Sequence, residues 1–457
     1  MRRLLIGSVT LAVILMTGCS GHSGSGEEGA SGTPAASTSA QAPAGFGTLK
    51  NVCGAGTAKP STVQGVTGTS IQVGVMSDIG FTKNSEFPDA AKVFTSWCNA
   101  AGGINGRKLV PVTRDTKLTQ VRGQVLAACN SDFALVGGGA ALDGLGVADR
   151  LKCLLPDFPA QSTQAIGSDL QVLATGAGVG YFPYAGFYTW LLKDKYPDSR
   201  QKVGVIAGDS PVSKTLSAQY TEAVVGLGGK VSYSDLYPAS GVTDWTPFAQ
   251  RIKNDGVKGL TFLGDFASLA KLEQALTSIG YAPDWIDANS NAYGSAFVQL
   301  AGTALAKQHN YAELSATAPL ESASSNPATQ QVIDLFKKYA PGRPVTYPVL
   351  RAFSAWLLFA TSARDCTTLT RTCVYENAIK QTSWTGGGLQ APADLSRNNI
   401  PPQCYSIVET TTSGWQPADF KPDNGPYRCD APAYKYKGKY GTPLTLKAVG
   451  KSLSDLT

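Results

Sequence analysis

The sequence of 457 residues predicts an α/β fold with two lobes, each built around a parallel sheet. Three observations support this prediction. Short apolar runs alternate with stretches of helical periodicity, which is typical of parallel strands joined by crossover helices. The alternation occurs twice, at about 70–175 and again at about 200–315. A hydrophobic content of 43% and a charged content of 16% allow a sizeable buried core.

The stretch NAAGGINGRKLVP, residues 99–111, indicates a helix that returns directly into a strand. Gly102 and Gly103 end the helix, because glycine adopts the left-handed C-terminal conformation at little steric cost. The Asn-Gly pair at 105–106 marks a tight turn, and a strand is predicted at 108–115. The first run is further predicted to contain strands at 71–76, 133–139 and 153–158, and helices around 87–101, 118–128 and 147–151.

The second run follows the same pattern and ends in similar loops. Ligands of open parallel sheets bind beyond the carboxyl ends of the strands, where the N–H groups of helix N-termini favour anions. Two lobes that present such loops to each other predict a ligand-binding cleft. Strands are predicted at 202–208, 230–237, 260–265 and 284–289, with helices around 216–224, 248–252 and 269–279.

The N-terminus is predicted to be a secretory leader followed by a tether. Two arginines precede an apolar run, Leu4 to Met16, that is too short to span a bilayer comfortably. The run ends in MTGCS, which resembles the lipobox of bacterial lipoproteins and predicts lipidation of Cys19 after removal of 1–18. The alternative is a secreted protein in which Cys19 is incidental. The Gly/Ser/Ala/Pro-rich segment 19–50 is predicted to be a flexible tether to the outer face of the cytoplasmic membrane.

Charge and cysteine content narrow the function. A formal charge of +6 without a dense Lys/Arg run argues against nucleic-acid binding. Without Cys19 an even number of cysteines remains, which predicts disulfides in an exported protein. Metal binding is the alternative, but no CxxC occurs and the only histidines are His22 and His309. We expect neither a metal nor a cofactor. The eight cysteines are Cys53, Cys98, Cys129, Cys153, Cys366, Cys373, Cys404 and Cys429.

An exported α/β enzyme is the less favoured alternative. A Ser-His-Asp hydrolase needs a histidine base, and His309 is the one histidine outside the predicted tether. No GxSxG elbow occurs. The GAGVG stretch at 176–180 is not a full dinucleotide-binding fingerprint, and no complete P-loop is present. We therefore expect a binding protein and not an enzyme.

The motifs resemble a known family. A lipobox leader followed by IQVGVMSDIG, WCNAAGGINGRKLVPVTRD and FALVGGG is similar to the type I periplasmic binding proteins of the branched-chain amino acid class. The resemblance implies two Rossmann-like lobes that close on a ligand about a three-strand hinge. It implies a monomer that delivers a small polar ligand, such as an amino acid or an amide, to the permease of an ABC importer. A ligand sensor of the same fold is the alternative.

The resemblance also implies how the chain divides and how its cysteines pair. We expect an N-terminal lobe of 66–175 plus 320–400, a C-terminal lobe of 176–319 plus 401–430, and a tail of 431–457. The tail is expected either to pack on the surface or to stay loose. This arrangement suggests the pairs Cys53–Cys98, Cys129–Cys153, Cys366–Cys373 and Cys404–Cys429.

Ligand contacts in the N-terminal lobe are carried over by position. Hydroxyls hold the ligand carboxylate in amino-acid-binding relatives, but the matching positions here are Ala140 and Ala141. This departure weakens the case for an amino-acid ligand and leaves the backbone N–H groups of Gly139 and Ala140. The next loop offers polar groups that either bind the ligand or cap the following helix. The remaining candidates of this lobe are Gln161, Ser162, Thr163, Phe81 and Asn84, with Phe81 otherwise a packing residue.

Candidates in the C-terminal lobe follow its strands. Asp265 lies in the region that meets the ligand ammonium in relatives, and a helix N-cap is its alternative role. Tyr293 is expected to line the hinge side of the cleft, unless it is a packing residue. Asp209, Ser210 and Phe266 complete the predicted set.

Overall fold

The computed structural model describes residues 44–238 and 241–456, all within one unit. The predicted leader, Cys19 and the tether up to residue 43 lie outside these residues. Phe46 is fully buried and packs edge-on against Trp97, with ring centroids 5.9 Å apart. The folded body therefore begins inside the range 19–50 that was expected to be tether.

The strands of the described residues form two sheets. A four-stranded sheet has the order β2-β1-β3-β4, and a seven-stranded sheet has the order β11-β10-β9-β8-β7-β5-β6. We call the first sheet with its helices the N-terminal lobe and the second the C-terminal lobe. The strands are β1 (Ser70–Ser77), β2 (Lys108–Asp115), β3 (Ala134–Val136), β4 (Asp157–Phe158), β5 (Val203–Gly208), β6 (Val231–Tyr237), β7 (Gly259–Leu263), β8 (Trp285–Asp287), β9 (Asn310–Glu313), β10 (Ile407–Thr411) and β11 (Gly414–Pro417).

Helices connect these strands, and short 3-10 segments punctuate the loops. The α-helices are α1 (Ile79–Thr82), α2 (Glu86–Ala100), α3 (Val121–Ser131), α4 (Val147–Lys152), α5 (Ala185–Thr189, continued by a π-helical turn at Trp190–Lys195), α6 (Pro211–Gly226), α7 (Thr246–Asn254), α8 (Phe266–Ser278), α9 (Ser295–Ala301), α10 (Pro327–Tyr339), α11 (Tyr347–Arg364) and α12 (Arg371–Ile379). The 3-10 segments are Asp143–Gly146, Pro197–Ser199, Ser290–Ala292, Gly302–Ala306, Leu320–Ser322, Gly386–Gly388, Lys447–Val449 and Leu453–Asp455.

The unit predicted from NAAGGINGRKLVP is present in the N-terminal lobe. Helix α2 ends at Ala100, and Gly102 and Gly103 follow with φ of +107° and +75°. A Cβ at Gly103 would lie 2.1 Å from the Arg107 carbonyl oxygen, so only glycine fits this turn. Strand β2 then pairs with β1 in parallel along its whole length. All pairings in this sheet are parallel, as predicted.

The C-terminal lobe combines a parallel sheet with an antiparallel edge. Strands β5 to β9 pair in parallel, whereas β10 pairs antiparallel with both β9 and β11. Between β9 and β10 the chain returns to the N-terminal lobe, where α10, α11 and α12 contribute to its core. Helix α11 is apolar on almost every face, and such a helix is expected to be buried on all sides. The N-terminal lobe is therefore built from two separate segments of the chain, one before β5 and one between β9 and β10.

Disulfides and the tail complete the fold. The structure contains the bonds Cys53–Cys98, Cys129–Cys153, Cys366–Cys373 and Cys404–Cys429, which are the four expected pairs. The tail packs on the surface, because Leu446 and Leu456 are buried against α4 and its neighbours. No helix in the described part of the chain is long and apolar enough to cross a lipid bilayer.

Candidate functional site

The loop after β1 leaves Phe81 and Asn84 on the surface. The Phe81 ring in α1 is 61% exposed, so it does not serve as a core packing residue. The Asn84 side chain is exposed and pairs with Glu86, whose backbone N–H and carboxylate it contacts. Phe81 is thus the more available of the two for contact with a ligand.

The loop after β3 is held by an internal carboxylate. Asp78 accepts hydrogen bonds from the Ala141 N–H at 2.7 Å and from the Thr116 hydroxyl. The Gly139 N–H donates to the Met76 carbonyl at 2.9 Å, and Ala140 is buried. The Gly139 amide that was expected to contact a ligand is therefore used within the fold.

The loop after β4 also binds a carboxylate side chain of the protein itself. The Asp143 carboxylate accepts from the Ser162 hydroxyl at 2.8 Å and from the backbone N–H groups of Thr163, Gln164 and Ala165 at 2.7–3.0 Å. Converging N–H groups of this kind favour a carboxylate. The groups of Ser162 and Thr163 that were expected to meet a ligand are occupied by Asp143.

Gln161 lies beside a small cavity inside the N-terminal lobe. Its side chain packs against Gly139, where an added Cβ would lie 2.6 Å from the Gln161 Cγ. The cavity measures about 30 Å³, and Met76, Ala140 and Arg150 also line it. A volume of that size holds a water molecule or two. This cavity is too small to be the site of a metabolite.

In the C-terminal lobe the predicted acidic residues have structural partners. Asp209 forms an exposed ion pair with Lys214. Asp265 is exposed and caps α8, with its carboxylate accepting from the Ser268 N–H at 2.8 Å. Burial, together with the nearby Asp265, raises the pKa of Tyr237 to about 12. The N-cap role of Asp265, stated above as its alternative, is thus the one that its contacts support.

The residues next to these acids also take part in the fold. Ser210 is the N-cap of α6 and accepts from the Ser213 N–H at 3.1 Å. Phe266 packs against an apolar cluster of the C-terminal lobe. Ser210 is thereby committed to its helix, and Phe266 contributes to packing.

Tyr293 connects the two lobes. Its hydroxyl donates to Glu321 and accepts from the Leu320 N–H at 2.8 Å, while its ring packs edge-on against Trp415. The side chain is only 6% exposed. Both bonding directions of the Tyr293 hydroxyl are used within the protein, and its ring takes part in packing.

A different group of polar residues converges where the lobes meet. Asp287 and Glu313 are the last residues of β8 and β9, and Arg351 lies in the second turn of α11. Tyr184, just before α5, is electrostatically coupled to all three and to Tyr347. We call this group the junction cluster: Asp287, Glu313, Tyr184, Tyr347 and Arg351. It brings strand ends of the C-terminal lobe up to a helix of the N-terminal lobe.

Glu313 is the least satisfied member of the junction cluster. It is 3% exposed, and neither carboxylate oxygen makes a well-formed hydrogen bond within the described chain. Burial raises the pKa of Glu313 well above its ordinary value, with the nearby Ser315 N–H opposing the shift; Asp287 raises it further, and Arg351 opposes it. A buried carboxyl group without a partner is costly unless something supplies donors to it.

Asp287 is buried but partly satisfied. Its carboxylate accepts from the Tyr188 hydroxyl at 2.7 Å and from the Asn289 N–H at 3.0 Å. Burial raises the pKa of Asp287 to about 6, and these two donors limit the shift. Asp287 is therefore poised to hold a charge near neutral pH.

Arg351 approaches the junction cluster from the N-terminal lobe. Its guanidinium lies 5.6 Å from the centre of the Tyr347 ring and makes a long contact of 3.4 Å to the Thr175 hydroxyl. Its Nε is buried without a hydrogen-bond partner, and no ion pair of Arg351 is found among residues 44–238 and 241–456. The Arg351 guanidinium thus lies near the carboxyl groups of Asp287 and Glu313 but forms no ion pair with either of them.

A model of the periplasmic binding protein family matches residues 70–415. The chain belongs to this family. Members bind small molecules outside the cytoplasm, work with ABC transporter permeases, and are solute-binding proteins and not enzymes. The predicted family and two-lobed α/β fold are thereby confirmed. No curated protein sequence matches the chain.

Solved structures of periplasmic binding proteins share the fold. A fatty acid ABC transporter substrate-binding protein from Thermomonospora curvata superimposes with a TM-score of 0.64 at 16% identity, covering 82% of this chain and 95% of its own. A leucine-binding protein from Thermotoga maritima gives 0.62 at 14% identity, covering 76% and 97%. A branched-chain amino acid transporter substrate-binding protein from Streptococcus pneumoniae, in complex with isoleucine, gives 0.59 at 16% identity, covering 76% and 98%.

Sequence reasoning did not identify the junction cluster of this periplasmic binding protein. A local signal exists, because two short buried strands end in an acidic residue, at Asp287 and Glu313. Arg351 is also the one charged residue within the apolar run from Tyr347 to Ala363. Charged residues in such positions are rarely buried unless they are paired or functional.

Proposed function

We propose that this periplasmic binding protein captures a small polar ligand between its lobes and delivers it to an ABC importer. It acts as a monomer, held at the outer face of the cytoplasmic membrane by a lipid on Cys19. The ligand belongs to the amino acids, amides or related metabolites. The family match and the lipobox support this role.

The carboxyl group of Glu313, which has no well-formed hydrogen bond to any described residue, is the observation that carries the proposal. It is buried at the carboxyl end of a strand, which is where ligands of open parallel sheets bind. A buried polar group without a partner costs roughly 1–3 kcal/mol, and more when it is charged. A ligand that supplies hydrogen-bond donors would offset this cost. The junction cluster is therefore a better candidate site than the loops around Gly139 and Asp265.

The experiment is a binding screen on the full-length protein in detergent. Thermal shift and then isothermal titration calorimetry are run with amino acids, amides, urea-like compounds, aromatic acids, sugars and fatty acids. We expect saturable one-to-one binding without turnover, weakened at least tenfold by Glu313→Gln and by Arg351→Met. Asp265→Asn should leave the affinity unchanged.

Two results would overturn this proposal. Absence of binding to any compound class would contradict ligand capture. Loss of binding in Asp265→Asn, with Glu313→Gln unaffected, would move the site to the loop after β7. Transport is tested separately by deleting the gene: loss of ligand uptake supports an importer, and intact uptake with a lost response supports the sensor alternative.

A further inference from the structure

We infer that the junction cluster selects ligands with a protonated nitrogen head, either a primary amine or an amidine, bound against Glu313 and Asp287. This inference rests on the proposed function, since it assigns the chemistry of that same site. The inference follows from the hydrogen-bond donors and acceptors of the junction cluster and from the charges of its residues.

The junction cluster has more hydrogen-bond acceptors than donors available to them. Asp287 already receives two hydrogen bonds from the protein, but Glu313 presents two oxygens that have no well-formed partner in the described chain. Arg351, the natural donor nearby, forms no ion pair with it. What the cluster lacks is a set of N–H groups. An ammonium offers three of them, and an amidine offers a planar pair that fits a carboxylate.

The charge of the junction cluster points the same way. Two carboxyl groups face one guanidinium, so the cluster carries a net negative charge when both are ionised. An anionic head would be repelled by the ionised Asp287 in a region of low dielectric, and it would not stabilise the ionised form of Glu313. Arg351 then offers its Nε–H to an acceptor elsewhere on the ligand. The ligand is thus oriented, with its cationic end toward β8 and β9.

Aromatic rings border the same region. The side chain of Tyr184 is partly exposed to solvent. The side chain of Tyr347 is 5% exposed, and the Arg351 guanidinium lies over its ring. Tyrosine faces attract cations within about 6 Å of the ring centre. Because Arg351 already lies over Tyr347, Tyr184 is the ring that remains to favour a compact cationic head over a neutral one of the same size.

The pH dependence of binding provides a second signature. A bound cation stabilises the ionised form of Glu313, so binding releases a proton from a group whose pKa burial raises. Affinity should therefore increase as pH rises from 6 to 8. The groups around Glu313 are Asp287, Tyr184, Tyr347 and Arg351; of these, Asp287, with a pKa of about 6, acts in the same direction.

Matched probes test the inference on the full-length protein. Benzamidine, benzamide and benzoate share one ring, and butylamine, butyramide and butyrate share one chain. We expect the amidine or the amine of a set to bind at least tenfold tighter than its amide and its acid, with proton release detected as buffer-dependent heat. Glu313→Gln should abolish this preference, while Glu376→Gln, an exposed carboxylate on α12, should keep it.

The outcomes separate the two proposals. Tighter binding of the amide or the acid would overturn the inference and leave ligand capture standing. Binding of no probe and of no compound in the broader screen would overturn both. Circular dichroism and the melting temperature of Glu313→Gln show whether the variant is folded, and Asp287→Asn provides a second variant that should also weaken the preference.

A second inference rests on the tail, 431–457, which first contacts the C-terminal lobe. On α6, the Glu222 carboxylate accepts from the Lys437 N–H at 2.6 Å, the Gly438 N–H at 2.9 Å and the Tyr440 hydroxyl at 2.8 Å. A carboxylate that receives several donors is held firmly, and these donors lower the pKa of Glu222 against the opposing effect of burial. The Glu222 carboxylate thus holds the first half of the tail against α6.

The second half of the tail is fixed to the N-terminal lobe. The Leu446 N–H donates to the Asp169 carboxylate at 2.7 Å, and the Leu444 carbonyl accepts from the Asp169 N–H at 3.1 Å. Leu456 is buried, and its carbonyl accepts from the Thr372 hydroxyl. The short segment 441–443 therefore joins two anchor points that belong to different lobes.

We propose that the tail is a strap that limits how far the lobes separate. The test places a protease site between Gly441 and Thr442 and cuts the strap after the protein has folded. Spin labels at the exposed positions Leu126→Cys and Leu300→Cys report the distance between the lobes. We expect cleavage to broaden this distance distribution toward longer values, and Glu222→Gln to do so partly.

An unchanged distance distribution in the cut protein would overturn the strap proposal. The matched control is the uncut protein with the same protease site, which should behave as the parent. The melting temperature of the cut protein confirms that the lobes stay folded while the strap is broken.

Discussion

Glu273 is a fully buried carboxyl group on α8, inside the C-terminal lobe. Neither of its oxygens makes a well-formed hydrogen bond to a described residue, although the Asn310 side chain lies beside it. Burial raises the pKa of Glu273 to about 8, and Asn310 opposes the shift. At neutral pH the group is mainly protonated, which removes the cost of a buried charge.

The raised pKa of Glu273 makes stability depend on pH. Because the folded-state pKa of about 8 exceeds the ordinary value of 4.5, the folded protein keeps a proton that the unfolded chain releases. This contribution is fully present below about pH 4.5 and is lost as pH rises through 8. We expect Glu273→Gln to match the parent at pH 5 and to be more stable by roughly 2–4 kcal/mol at pH 9 in urea unfolding.

The control for Glu273 is the same change at an exposed position. Glu376→Gln should leave the difference in unfolding free energy between pH 5 and pH 9 as it is in the parent. If Glu273→Gln lost stability with pH as steeply as the parent does, the buried carboxyl group would not be the source of the effect.

Individual strands and helices could be predicted where the residues that determine them are close together in the sequence. Strand β2 lies at 108–115 as predicted, because its apolar run and the turn before it are both encoded nearby. The run at 153–158 was predicted as a strand, but β4 covers only Asp157–Phe158. Leu154 has a φ of +55°, and Pro156 lacks an N–H, so extended pairing begins only after them.

The candidate site was less predictable than the elements around it. Loops after β3, β4 and β7 were placed correctly, yet their polar groups are used by Asp78, by Asp143 and by the N-cap of α8. Sequence cannot show which polar groups the fold itself satisfies. The junction cluster joins residues from β8, β9 and α11, and only the folded chain brings these elements together.

At the scale of the whole molecule, polar contacts join the two lobes. The Tyr293 hydroxyl accepts from the Leu320 N–H at 2.8 Å, and the tail contacts both lobes. Periplasmic binding proteins close such lobes about a hinge. A ligand in the junction cluster would touch β8, β9 and α11 together and so link the lobes directly.

A crystal structure with the ligand found in the screen tests this account most directly. We expect the ligand within hydrogen-bond distance of the Glu313 carboxylate and the Arg351 guanidinium, with its nitrogen head toward Asp287. A ligand bound instead at the loop around Asp143, or against one lobe alone, would contradict the claim that the junction cluster is where this protein captures its ligand.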